Sequence, residues 1–313
     1  MIVLTVLWSI CLLFSVIGVI VTLKDLRNFY LFYSHQSDES SRCRVFLGMF
    51  LHDRFRMAFL IFVFHICFAG LWSLKLVHPT RFVIGRNLIS TVLFGVGGTV
   101  FWTSSYLYSK IILKFAHLQA KVNSFGYKDS TVIRIRKVRR VLGLIPILSA
   151  ALFFLPILTF VNPSTSTLVG RIHFGGTGAI LMLFGAIAMP YAVNLMCRDL
   201  SSYLASQAVP ESNRSTLKIL KLLGRFKVAK VYLIVNGLFL GLVSLAYAVW
   251  PFFTRRIAYQ LPVSWAAGHL AALLVVWSIR PDRTWNKKLR ESRLPKTLAS
   301  MELQYSTFGT EAH

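Results

Sequence analysis

Between two long apolar runs, residues 110–140 carry nine basic side chains against one acid. Lys110, Lys114, Lys121, Lys128, Arg134, Arg136, Lys137, Arg139 and Arg140 are set against Asp129 alone. A short basic stretch between apolar runs of helix length reads as a loop joining two membrane helices, and Lys and Arg in such loops stay on the cytoplasmic side. A soluble nucleic-acid-binding protein could carry the same run, but not with 55% hydrophobic residues and a mean hydropathy of +0.61. The net charge of +24 is instead confined to loops, where it meets anionic headgroups at about 1 kcal/mol per residue. The expected partners are the bilayer, its anionic inner-leaflet lipids and a cytosolic protein. No nucleic acid is expected.

Apolar runs long enough to cross about 30 Å of hydrocarbon fall at residues 2–23, 55–77, 87–109, 141–161, 172–197, 228–252 and 260–279. The first lacks the basic start, short apolar core and small-residue cleavage site of a signal peptide. The fold expected is therefore an all-α membrane protein, a bundle of seven transmembrane helices over residues 1–280. Lys and Arg divide unevenly between its two sides. Of the 35, the connections after the first, third and fifth runs and the tail hold 29, as do all eleven acids. The other side holds only Lys75, Arg81, Arg86, Arg171, Arg255 and Arg256. That asymmetry predicts N-out, C-in. Residues 281–296 alternate apolar and basic positions, as in a helix lying on the inner leaflet. Residues 297–313 read as a disordered cytosolic tail, in which Tyr305 and Phe308 have the spacing of an endosomal sorting signal.

No Asp or Glu falls inside any predicted span, and the seventh has no Lys. Proton- or sodium-coupled carriers, amine receptors and Schiff-base pigments usually need such groups. Protease and hydrolase motifs are also missing, so the chain is not read as an enzyme, and no catalytic residue, metal or cofactor is assigned. His65 and His269 are the ionisable side chains nearest mid-membrane and can face one another. With Trp102, Asn236 and Tyr247 they make the candidate ligand pocket, although interhelical hydrogen bonding is the plainer role of the histidines. Gly237-x-x-x-Gly241 signals close helix packing, within the chain or in a homodimer. Arg134, Arg136, Lys137, Arg139 and Arg140 form the candidate cytosolic docking patch, with an anchor for topology as its simpler reading.

Seven spans with the N-terminus outside resemble G-protein-coupled receptors in outline. The Asp-Arg-Tyr triplet at the end of span three and the Asn-Pro-x-x-Tyr of span seven are replaced by Ser109-Lys110-Ile111 and Ser278-Ile279-Arg280. Arg54-Phe55-Arg56-Met57-Ala58 at the start of span two and Thr103-Ser104-Ser105-Tyr106-Leu107 on span three are similar to the tobamovirus-multiplication-protein family and its animal orphan-receptor relatives. The chain departs from them at the inner end of span three, where Lys110 and Lys114 stand in place of an acid. The resemblance implies a multi-pass protein of vacuolar or lysosomal membranes; the location expected of the chain is the plasma membrane or an endosomal or vacuolar membrane. Three functions follow as expectations: a receptor-like protein engaging a cytosolic partner, an endomembrane scaffold without ligand-driven signalling, or a carrier or channel for a neutral or anionic solute.

Overall fold

The computed structural model of the chain describes residues 2–36, 47–122, 137–206, 214–250 and 257–278. Among these residues all regular structure is helical, with no strand. The helices are α1 (Ile2–Gln36), α2 (Asp53–Val77), α3 (Leu88–Val122), α4 (Lys137–Val161), α5 (166–206), α6 (Arg214–Val249) and α7 (Ile257–Ser278). Six helices, α1 to α6, are long and apolar enough to cross a membrane. In the seventh, Pro262–Ser278 is a shorter apolar helix. Seventeen residues rise about 25 Å, at the lower limit for a span.

The helices close into a ring in which each packs on its chain neighbours and α7 returns to α1. Polar contacts show which ends share a side. Asp25 of α1 lies 3.9 Å from Arg54 of α2, and Asp53 of α2 pairs with Lys110 and Lys114 of α3. Lys230 of α6 donates to Asn194 of α5 at 2.9 Å, Arg225 of α6 lies over the Trp277 ring of α7, and the hydroxyls of Tyr108 of α3 and Ser278 of α7 meet at 2.9 Å. The charge-rich ends therefore gather at one end of the bundle.

The predicted basic connections are partly helix. α3 continues 13 residues past its predicted end to Val122, α1 runs to Gln36, and α6 begins at Arg214. Lys, Arg and Leu are all good helix formers, so the polar residues extend the apolar helices without breaking them. At the opposite end, Gly85 adopts φ +81°, a left-handed conformation that glycine takes without steric cost. The Thr159 hydroxyl of α4 bonds to the Gly85 carbonyl and fixes that turn to the bundle. Residues 281–296 and the Tyr305/Phe308 signal lie outside the described residues.

Two helices are irregular for stated reasons. α4 is broken at Gly143 and Leu144, ahead of Pro146, and passes through a 3-10 turn at Leu155–Ile157 around Pro156, since proline supplies no backbone N–H. α5 widens into a π-helix at Leu181–Ala188, beside a close contact with α6. There Gly185 and Gly178 of α5 meet Gly237 and Gly241 of α6 almost backbone to backbone. The small-residue face of α6 is filled by α5 of the same chain.

Candidate functional site: a central cavity and a buried histidine pair

On α1, Cys11, Ser15, Gly18, Thr22 and Asp25 recur at helical spacing and are all buried, whereas Ile2, Val6, Leu13 and Ile20 on other faces are exposed. This buried stripe meets α2 and α7 around two histidines. His65 Nδ1 and His269 Nδ1 lie 2.9 Å apart, and the rings stack with centroids 5.0 Å apart. His269 Nε2 lies 2.9 Å from Ser15 Oγ, and the Ser15 hydroxyl donates to the Cys11 carbonyl at 2.8 Å.

For neutral rings the proton count has one solution. The single Ser15 proton is used on Cys11, so His269 Nε2–H donates to Ser15. His269 Nδ1 then accepts from His65 Nδ1–H, which leaves His65 Nε2 as a bare acceptor. That atom is buried and has no hydrogen-bond partner. Gly18 lies flat against the His65 ring, where a Cβ would come within 2.2 Å of it. The pair is a closed interhelical clasp whose facing nitrogens are spent on each other.

Phe64, Phe68 and Trp265 separate this clasp from a cavity. The Phe68 and Trp265 rings are 4.1 Å apart, Phe64 lies 4.7 Å from His269, and Trp265 borders the cavity. The cavity is open at a mouth and has a volume of about 100 Å³, between α3, α4, α5, α6 and α7. Phe101, Trp102, Phe153, Phe174 and Phe184 supply aromatic walls, and the π-helical turn of α5 contributes Leu181, Phe184 and Gly185. None of the lining residues is Asp, Glu, Lys or Arg.

Polar groups on the wall are few. His173 accounts for one nitrogen, with Nδ1 donating to the Leu152 carbonyl at 2.9 Å. Thr177 Oγ1 and Asn236 Nδ2 are buried and have no hydrogen-bond partner. The Tyr232 hydroxyl beside Asn236 donates to the Ala267 carbonyl at 3.0 Å, and its oxygen can still accept from the Asn236 amide. Each unmade hydrogen bond in such surroundings costs about 1–3 kcal/mol.

Of the predicted pocket residues, the structure brings Trp102 and Asn236 to the cavity. His65 and His269 lie behind the Phe64, Phe68 and Trp265 layer and are not on its wall. Tyr247 lies one turn beyond Ser244, the last cavity residue on its helix, and packs 5.8 Å from the Phe174 ring. The sequence reading missed Ser15, His173 and Thr177. The spacing of Ser15 from Cys11 and Gly18 carried a signal; Thr177, within a glycine-rich turn, carried none.

At the basic end, Lys137, Arg139 and Arg140 are exposed at the start of α4 while Val138 turns toward the core. Arg134 and Arg136 lie outside the described residues. Lys110 and Lys114 are not free loop charges. Lys110 Nζ is 3.1 Å from Asp53 Oδ1, Lys114 Nζ is 2.8 Å from Oδ2, and Arg56 bonds to the same carboxylate. The acid absent from α3 is thus supplied by α2, so the two basic residues reinforce the α2–α3 contact. No protein family, curated protein sequence or solved structure matches this chain.

Proposed function

We propose that the chain is a receptor-like protein of seven membrane-crossing helices, N-out and C-in, whose basic end engages an acidic cytosolic protein. The observation supporting it most directly is the gathering on one side of six helix ends that carry Lys or Arg, those of α1 to α6, with Lys137, Arg139 and Arg140 exposed there. Asp53 and Asp25 are already occupied by Arg54, Arg56, Lys110 and Lys114. They do not offset the exposed charges of α4. Exposed charges attract an acidic surface over about 8–10 Å at physiological salt and accelerate its encounter.

The test uses the full chain in phosphatidylcholine nanodiscs, which carry no net lipid charge, and a glutamate-rich peptide as probe. Changing Lys137, Arg139 and Arg140 to Gln should weaken binding several-fold, and salt should weaken binding to the unchanged protein in parallel. The remaining basic residues keep the topology. If the triple variant binds as before, and binding is indifferent to salt, the run is a topology anchor and the docking reading fails.

A further inference from the structure

We infer that the cavity between α3, α4, α5, α6 and α7 binds a small, neutral, ring-bearing molecule that accepts a hydrogen bond from Asn236. This is independent of docking at the basic end, since a scaffold or a carrier could hold the same ligand.

Three features of the wall define the ligand. With no Asp, Glu, Lys or Arg lining it, the cavity offers an ionic ligand no counter-charge, and an unpaired ion in apolar surroundings is strongly disfavoured. The ligand is neutral. Trp102 and Phe184 stand edge-to-face with centroids 5.7 Å apart, and Phe101 and Phe153 each lie about 6 Å from Trp265. Such walls present ring faces and edges to an aromatic or flat alicyclic body. The ligand carries a ring.

The third feature sets its polarity. Asn236 Nδ2 is buried and carries two N–H donors; the Tyr232 oxygen stands beside it for one, which leaves the other for a ligand. A carbonyl or ether oxygen satisfies it. Thr177 Oγ1 on the facing helix, unpartnered, can donate to the same oxygen or accept from a hydroxyl. Both groups sit next to the π-helical Leu181–Ala188 turn, an irregularity that recurs at functional sites. The turn sets Phe184 on the wall while Gly185 packs against Gly237.

The histidine pair does not compete for this role. Its facing nitrogens bond to each other, Ser15 takes the third, and Gly18 covers the His65 ring.

Benzophenone has the inferred chemistry, two rings and one carbonyl acceptor, and forms covalent adducts under ultraviolet light. The full chain in phosphatidylcholine nanodiscs is titrated with it, irradiated and mapped by mass spectrometry. Saturable adducts are expected on the cavity wall, at residues such as Trp102, Phe184 and Leu240. The Asn236→Leu variant should need roughly tenfold more probe, a difference of about 1.4 kcal/mol, and Thr177→Val a smaller excess. Diphenylmethane, the same two rings without the carbonyl, should not displace the probe at equal concentration from the unmutated protein. That comparison decides the matter even if a variant fails to fold. Unsaturable adducts, or adducts confined to exposed residues such as Val235, Phe239 and Leu242, overturn the inference. So do saturable cavity adducts that both variants keep and diphenylmethane displaces equally.

Discussion

His65 and His269 share one hydrogen bond between like atoms, Nδ1 to Nδ1 at 2.9 Å, and the sharing makes the two rings unequal. His269 has both nitrogens engaged. His65 has one, and its Nε2 is buried without a partner.

The inequality predicts the order of two substitutions. His65→Leu removes one unpaired atom, His65 Nε2, and creates another, His269 Nδ1, so the number of unsatisfied groups stays constant. His269→Leu strands the His65 Nδ1–H and leaves Nε2 as it was. The second change should cost more by about 1–3 kcal/mol, read as a lower melting temperature of the purified protein. Equal melting of the two variants would contradict the proton assignment.

Gly18 supplies a separate test of the same clasp. A Cβ there would lie 2.2 Å from the His65 ring, and the ring cannot swing away without breaking its bond to His269. Gly18→Ala should destabilise by about 1–3 kcal/mol, as overpacking does. The penalty should shrink when His65 is also changed to Ala, since contacting residues are not additive. A full penalty in the double variant would show that Gly18 matters for some other contact.

The clasp was half legible in the sequence. His65 and His269 stand out as the ionisable groups of two apolar runs, and their depth brings them together. The small and polar stripe of α1 has a clear helical period, but a stripe names a buried face without naming what it touches. The cavity was less legible. Trp102 and Asn236 could be picked by residue type, whereas Thr177 reaches the wall through the close approach of α5 to α6. That approach involves a π-helical turn which no local propensity announces. Tyr247 follows Ser244 on the cavity face of α6, yet the cavity ends a turn earlier, a matter of packing against Phe174 and not of period. Helix length is less legible as well, because a basic composition reads as the end of α3 where Asp53 makes its extension favourable.

Gly237 and Gly241 look alike in sequence and should behave differently. A Cβ at Gly237 would meet backbone of α5, Ala186 N at 2.8 Å and the Gly185 carbonyl carbon at 2.9 Å. At Gly241 the nearest atoms belong to the flexible Met182 side chain, at 2.6 and 2.9 Å. Backbone cannot step aside and methionine can. Gly237→Ala should therefore lower the melting temperature clearly and Gly241→Ala only slightly. The reverse order would mean that α6 does not seat on α5 in this register.

Asp53 holds Arg56, Lys110 and Lys114 together, and its side chain is only 8% exposed while theirs range from 17% to 40%. Asp53→Asn leaves three cations close together without a counter-charge. Partial exposure moderates the effect, so a loss of about 1–2 kcal/mol is expected at low salt. The loss should narrow as salt screens the repulsion. A salt-independent loss would point to packing at the start of α2 instead.

The shortest helix carries the topology. Near its start, the Pro262 carbonyl of α7 accepts from the Cys11 thiol in the first half of α1; at mid-length, His269 meets Ser15; at its end, Ser278 meets Tyr108. α7 thus runs alongside α1 from the basic-poor end to the basic end. With α1 starting at the poor end and α7 finishing at the rich one, the termini should lie on opposite sides of the membrane, the C-terminus in the cytosol. Epitope tags on the two termini check this. Antibody should reach the N-terminal tag in intact cells, where the protein reaches the surface, and the C-terminal tag only after permeabilisation. Were α7 not to cross, both tags would respond together, and the positions of Pro262 and Ser278 at opposite ends of the bundle would have to be abandoned.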